Sequence, residues 1–283
     1  MRRLGVHTSI AGGVHLSLTR ARELGCTTMQ IFSHNPRQWH VGRISDEHVK
    51  QFRGLRGRFD IEPVFIHTSY LINLAALRPD ILDKSVQLLI REMELADALG
   101  AEYVVLHTGS ASEDSEDNAR RRASDAIRIV SGYRTWNARL LLENTAGERG
   151  DISSRIRDLA ELMNAAGSAL VAGICLDTCH AFQAGYDLSS EEGLAEIVRE
   201  IEREIGFERV KLIHLNDSKR TFNAGVDRHE HIGIGEIGKE GLKRIIRHPS
   251  LKDLPLILET PKKSEEDDPR NLNVVRGLLI DLL

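Results

Sequence analysis

Residues 64–107 begin with Val-Phe-Ile-His, continue through a long polar and apolar segment, and end with Tyr-Val-Val-Leu-His. Between the two apolar runs, four apolar residues recur at the i, i+3, i+4, i+7 spacing of one helix face: Val86, Leu89, Ile90 and Met93. Pro79 before this segment and Gly100 after it are typical of the two ends of a helix. The stretch therefore predicts strand, helix and strand, the β/α unit of a parallel sheet.

The same unit recurs along the whole chain. Eight short apolar runs are separated by amphipathic segments: Leu4–His7, Met29–Phe32, Val64–His67, Tyr103–His107, Leu140–Glu143, Gly173–Asp177, Val210–His214 and Leu256–Glu259. Nearly continuous apolar strands indicate a parallel sheet that is buried on both faces. Because eight such units typically need about 250 residues, we predict an α/β fold of the (β/α)8 TIM-barrel type, with a doubly wound open sheet as the alternative. Without a linker or a break in composition, we expect a single domain over residues 1–283.

Composition excludes several classes of protein. The 41% of hydrophobic residues and 23 glycines are typical of a globular chain. No run approaches the ~18 uninterrupted apolar residues of a membrane span, and the first residues do not resemble a signal peptide. Three cysteines are odd in number and too few to crosslink a chain of this length, so we expect a cytoplasmic protein.

Polar residues end six consecutive apolar runs. All six can bind a metal ion: His67, His107, Glu143, Asp177, His214 and Glu259. In a TIM barrel the carboxyl ends of the strands form the rim that carries the active site, so we expect these side chains to converge. One histidine or glutamate at such a place is more often only hydrogen-bonded. Several carboxylates together would repel one another unless a cation lies among them.

Three further candidates lie just beyond the strand ends: His180, Asp227 and His229. The combined set of imidazoles and carboxylates suits zinc best, with manganese as the alternative. Nine ligands are too many for one ion and, with a shared carboxylate, would serve three. The formal net charge of −4 argues against a nucleic-acid partner. However, three divalent ions would bring the protein to about +2, so the argument from charge does not hold.

Three segments resemble the signature segments of the endonuclease IV family of apurinic/apyrimidinic (AP) endonucleases, also called AP endonuclease family 2. They are residues 67–74 (HTSYLINL), 173–180 (GICLDTCH) and 214–219 (HLNDSK). Shorter segments match as well: residues 35–39 (NPRQW), 143–147 (ENTAG) and 226–229 (VDRH). The resemblance covers essentially the whole chain.

This resemblance implies a cluster of three zinc ions. His67, His107 and Glu143 would bind one ion, and Glu143 would bridge to a second ion. The remaining ligands of the second ion would be Asp177, His214 and Glu259, and those of the third ion His180, Asp227 and His229. His231 could compete with His229. Glu143, together with a metal-bound hydroxide, would carry the catalysis.

The activity implied is that of a zinc-dependent DNA repair endonuclease of the deoxyribonuclease IV type, a phosphoric diester hydrolase of base excision repair. It would cut double-stranded DNA 5′ to an abasic site, leaving a 3′-hydroxyl and a 5′-deoxyribose phosphate, and would also clean blocked 3′ ends. Basic and aromatic residues after the strand ends would contact the DNA: Arg37, Trp39, Lys219 and Arg228. The resemblance adds that Arg37, Tyr70 and Leu71 would enter the duplex at the abasic gap. We expect a monomer acting on the nucleoid of a bacterial-type cell, with no membrane partner.

Two other functions remain open. Glu143, Asp177, His214 and Glu259 also resemble the metal-binding quartet of sugar isomerases and epimerases on the same barrel. The other open function is that of a zinc-stabilised protein that binds damaged DNA without cutting it. Residues 233–238 match the G-x-G-x-x-G pattern, but they follow a charged loop and not a strand. We therefore expect these residues to form a flexible loop on the metal face and to bind no nucleotide cofactor. We also expect Cys175 and Cys179 to be buried as small apolar residues.

Overall fold

The computed structural model describes residues 2–280; Met1 and residues 281–283 of the expected domain lie outside that range. Eight parallel strands form one sheet, and we number the strands in chain order. They are β1 Leu4–Val6, β2 Met29–Phe32, β3 Val64–His67, β4 Tyr103–Leu106, β5 Arg139–Glu143, β6 Val171–Asp177, β7 Val210–His214 and β8 Leu256–Leu258. Each lies within two residues of a run read from the sequence.

Neighbouring strands pair in the order β1-β8-β7-β6-β5-β4-β3-β2. Between the two ends of this order, His7 and Gln30 form a parallel bridge, and Thr8 N donates to Gln30 O at 2.7 Å. The sheet thus curls into a nearly closed barrel. The predicted (β/α)8 TIM barrel is confirmed, and the alternative of an open doubly wound sheet is wrong.

Helices occupy the intervals between the strands. Their bounds are α1 Leu16–Glu23, α2 Asp46–Phe59, α3 Pro79–Leu99, α4 Glu116–Tyr133, α5 Ile156–Ala166, α6 Thr178–Gln183, α7 Glu191–Glu204, α8 Gly238–Arg247 and α9 Asp267–Ile280. Helix α3 begins at Pro79 and ends before Gly100, which has a left-handed φ of 73°. Over residues 2–280, no helix is long and apolar enough to cross a membrane.

The interior of the barrel contains a separate apolar layer. It consists of Phe65, Val105, Leu141, Cys175, Leu212 and Ile257, all fully buried. Each of these residues lies two positions before one of the six polar residues at the strand ends. Because alternate residues of a strand face the same side, the six polar side chains also face the barrel axis, one layer closer to the rim. The fold therefore positions the site directly above an apolar floor.

Candidate metal centre

Glu143 occupies the middle of the rim, at the end of β5, and is fully buried. Its Oε2 lies 3.0 Å from His107 Nε2 and 3.3 Å from His67 Nε2, while its Oε1 lies 2.9 Å from His214 Nδ1. Burial alone would raise the pKa of Glu143, but His214 and His107 outweigh it and hold the pKa well below its usual range. Glu143 is thus an ionised carboxylate with one oxygen facing each of two groups of histidines.

A second group of donors forms around His214. Its Nδ1 lies 3.2 Å from Glu259 Oε2 and 3.9 Å from Asp177 Oδ2. The donor atoms of Glu143, Asp177, His214 and Glu259 all lie within 4.8 Å of one another. The sequence placed these four at the ends of β5 to β8, and parallel pairing brings Asp177 opposite His214.

A third group lies on the outer side of Asp177. Asp227 Oδ1 is 3.2 Å from His180 Nε2 and 3.4 Å from His229 Nε2, and the latter atom is 3.6 Å from Asp177 Oδ2. His231, the competing candidate, lies outside this group, because its Nδ1 is 3.1 Å from Asn271 Nδ2 on α9. The structure therefore brings all nine of the candidate ligands into three adjoining groups.

Carbonyl oxygens behind three of the imidazoles fix the direction of their lone pairs. His67 Nδ1 lies 2.8 Å from Thr68 O, His180 Nδ1 2.9 Å from Asn144 O, and His229 Nδ1 3.0 Å from Glu259 O. Since a carbonyl only accepts, each Nδ1 carries the proton, and each Nε2 presents its lone pair to the centre. This arrangement is typical of metal-binding histidines.

Four buried atoms that face the centre lie close to other donor atoms but make no well-aligned hydrogen bond within residues 2–280: His107 Nε2, Glu143 Oε2, His180 Nε2 and His229 Nε2. A buried polar atom without a partner is costly, and here four of them face one another. Divalent cations bound in the first and third groups would satisfy all four. The donor set and its geometry therefore fit bound metal ions.

Gln30 is a site residue that sequence reasoning missed. Its Nε2 donates to Glu259 Oε1 at 2.6 Å, and its Oε1 accepts from His214 Nε2 at 2.9 Å. These two bonds place the proton of His214 on Nε2 and leave its Nδ1 free to face Glu143. The only signal in the sequence was a polar residue inside an otherwise apolar strand, Met-Gln-Ile-Phe.

Asn216 supports the same centre from the segment that follows β7. Its Nδ2 donates to Asp177 Oδ2 at 2.6 Å, and its Oδ1 accepts from Glu259 N at 2.8 Å. Cys175 and Cys179 are fully buried, as predicted, and their thiols lie close enough to the second and third groups to bind metal. Burial raises the pKa of both thiols to about 12, which favours the nitrogen and oxygen donors over sulfur.

A cavity of about 1490 Å³ opens over the centre. Its lining includes His67, His107, His180 and His229 from the candidate ligands, together with Tyr70 and Arg228. The other residues expected to contact DNA lie on the loops around it: Arg37, Trp39, Leu71 and Lys219. Tyr70 is 65% exposed, and its ring lies 5.2 Å from that of Phe32 at the edge of the cavity.

The loop with the G-x-G-x-x-G pattern is not the flexible loop that we expected. Asp217 Oδ2 accepts from Gly233 N and Gly235 N at 3.0 Å, and Asp217 Oδ1 accepts from Ile237 N at 3.0 Å and Gly238 N at 3.3 Å. The buried carboxylate of Asp217 thus occupies the place between these amides where a phosphate would bind in a dinucleotide site. Four hydrogen bonds hold the loop.

Comparisons with known proteins show what the chain as a whole is similar to. Residues 18–278 match the family model described as xylose isomerase-like TIM barrel. The chain is 42% identical to probable endonuclease 4 of Halothermothrix orenii over 275 residues, which cover 97% of this chain and 99% of that protein. It is 39% identical to probable endonuclease 4 of Methanosphaerula palustris, with 99% of each chain covered.

Among solved structures, endonuclease IV from Thermus thermophilus superposes with a TM-score of 0.87 at 42% identity, and 99% of each chain is covered. A D-tagatose 3-epimerase-like protein superposes with a TM-score of 0.70 at 22% identity, covering 99% of this chain and 97% of that one. The second likeness shows a shared fold and no more.

Proposed function

The chain belongs to the endonuclease IV family of DNA hydrolases, and on that basis we propose that it is a zinc-dependent repair enzyme for abasic sites. It hydrolyses the phosphodiester 5′ to an abasic site in double-stranded DNA, leaves a 3′-hydroxyl and a 5′-deoxyribose phosphate, and cleans blocked 3′ ends. The observation that carries the proposal is the meeting of three donor groups, linked through Glu143 and Asp177, beneath one open cavity. We propose that it acts as a single-domain monomer in the cytoplasm.

Each donor group holds one zinc ion in this proposal. The mixed nitrogen and oxygen donors suit zinc better than calcium or magnesium, which prefer oxygen alone. When bound, the ions supply a water of lowered pKa and neutralise the charge of the phosphate. Glu143 directs one carboxylate oxygen to the first donor group and the other oxygen to the second. Asp177 Oδ2 faces both the second and the third donor group. These two carboxylates hold the groups at fixed positions around the scissile phosphate.

DNA binding uses the loops that surround the cavity. Lys219, Arg228 and Trp39 contact the backbone, which gives affinity without reading sequence. Arg37, Tyr70 and Leu71 enter the stack where a base is missing, because separating a stack costs least at such a gap. The cavity, at about 1490 Å³, is large enough to admit a deoxyribose phosphate.

A metal-dependent sugar isomerase is the second candidate, supported by the quartet of Glu143, Asp177, His214 and Glu259. A small sugar has no use for the third donor group or for Arg37 and Tyr70. The quartet alone therefore supports this function less well than the complete set of nine supports DNA hydrolysis.

Replacement of Glu143 tests the proposal. In the Glu143→Gln variant, an NH2 group replaces one of the two carboxylate oxygens. The side chain loses its negative charge, and the NH2 group cannot bind a metal ion. We expect metal loss from more than one position and incision slower by more than about a hundredfold. Elemental analysis and a gel assay on an abasic duplex measure both, with the exposed Glu192→Gln on α7 as the control. Full metal content and normal incision in the Glu143 variant would overturn the proposal.

A further inference from the structure

Glu92 is a fully buried acid to which the proposed function gives no role. It lies within α3 and exposes none of its surface. Its Oε1 accepts a hydrogen bond from Ser69 N at 3.0 Å, and its Oε2 has no partner in the described part of the chain. A buried carboxyl group is costly in the interior of a protein, so its contacts indicate what it does.

Ser69 connects two loops of the rim. Its Oγ donates to Pro36 O at 2.7 Å and accepts from Leu71 N at 3.2 Å. Pro36 directly precedes Arg37, and Ser69 directly precedes Tyr70. We call residues 33–38 and 69–71 the wedge loops. One serine therefore joins the wedge loops, and Glu92 holds that serine from the helix below.

His34 completes the link between Glu92 and the first wedge loop. Its Nδ1 lies 3.4 Å from Glu92 Oε1 and 3.1 Å from Ser33 Oγ, and its Nε2 lies 3.1 Å from Gln38 O. Burial raises the pKa of Glu92 to about 8 and lowers the pKa of His34. At neutral pH both side chains are therefore mainly uncharged, so the approach of His34 Nδ1 to Glu92 Oε1 is a polar contact between neutral groups and not an ion pair.

We propose that Glu92 is a positioning residue for damage recognition, which holds the wedge loops together through Ser69 and His34 before DNA binds. Arg37 and Tyr70 then meet the abasic gap already in place, and no ordering of the loops is needed on binding. This inference rests on the proposed function, because it assumes that the wedge loops enter the duplex. Glu92 itself touches neither DNA nor metal.

Two substrates separate this role from a general structural one. An abasic duplex needs both the metal centre and the wedge loops, whereas bis-p-nitrophenyl phosphate needs only the metal centre. In Glu92→Leu, Ser69 N loses its acceptor, and we expect kcat/KM on the duplex to fall about tenfold. Hydrolysis of the small diester and the metal content should stay within about twofold of the wild-type values.

Three further variants complete the experiment. Glu92→Gln keeps an acceptor for Ser69 N and should restore most of the activity on the duplex, since Glu92 acts as a neutral group. Ser69→Ala removes the bond to Pro36 and should repeat the defect of Glu92→Leu. Glu94→Leu, on the same helix but paired with Arg91, is the matched control and should resemble the wild type.

The outcomes are distinct. A fluorescent base analogue opposite the abasic site should report weaker opening of the stack in Glu92→Leu than in the wild type. Equal losses on both substrates, or wild-type behaviour of Glu92→Leu and Ser69→Ala on the duplex, would overturn the inference. If the wild-type protein itself leaves the abasic duplex uncut, the proposed function fails instead.

Discussion

At the scale of single residues, the candidate centre depends on side chains that are not candidate metal ligands but orient those ligands. Gln30 holds His214 and Glu259 in the orientation in which their other atoms face Glu143. Such supporting bonds fix the tautomer of a histidine and the direction of a carboxylate, and their loss typically weakens metal binding.

Replacement of Gln30 by leucine removes both bonds while nearly keeping the volume. We expect the affinity for zinc to fall about 10–100-fold in Gln30→Leu, as measured by competition with a chelator. Gln51→Leu, on the exposed face of α2, is the matched control. Unchanged affinity in the Gln30 variant would show that the centre does not need this support.

Glu92 makes stability depend on pH in a defined direction. Burial raises the pKa of Glu92 to about 8 in the folded protein, from the ordinary value of 4.5 that applies to the unfolded chain. The folded state thus binds the proton more tightly, and the wild type loses stability as pH rises from about 4.5 to about 8. Glu92→Gln has no group to titrate there.

The free energy of unfolding of Glu92→Gln should therefore increase relative to the wild type across this window and level off above it. Urea denaturation of both proteins below, within and above the window measures the difference. A difference that stays constant with pH would contradict the raised pKa.

At the scale of elements, the periodicity of the sequence predicted the barrel and the convergence of the strand ends. The bounds of β2, β3 and β7 match the predicted runs, because apolar strands between turn residues are a local signal. The strand-end donors converge because parallel strands share one rim. The supporting contacts were not predictable, since Gln30 and Glu259 lie 229 residues apart and only the closed barrel joins them.

The loop after the short ladder of Asp217–Ser218 and His229–Glu230 shows the same limit of sequence reasoning. Its glycines predicted a flexible loop, but the carboxylate of Asp217 accepts from four of its amides. In Asp217→Asn, an amide group would replace one of the accepting oxygens and leave buried N–H groups unpaired.

We expect Asp217→Asn to lower the free energy of unfolding by about 2–3 kcal/mol. Faster hydrogen exchange should appear in residues 233–238. Chemical denaturation measures the first effect and mass spectrometry the second, with the exposed Glu236→Gln of the same loop as control. Wild-type exchange in this loop would mean that Asp217 does not hold it.

At the scale of the whole molecule, the net charge of −4 and a DNA substrate are compatible. Four carboxylates belong to the candidate centre: Glu143, Asp177, Asp227 and Glu259. The proposed ions would neutralise them, so that the rim presents the exposed cations of its loops to the phosphates. The barrel thus places these four acids in one centre and the cations that we propose to contact DNA on the loops around it.

Incision at a single abasic site is the decisive test of the proposed activity. A labelled duplex with a single abasic-site analogue and its intact twin are incubated with the purified protein, and metals are counted on the same sample. We expect cleavage 5′ to the lesion only, with close to three zinc ions per chain. A protein that carries its full complement of metal, leaves both duplexes uncut and interconverts a ketose and an aldose would contradict it.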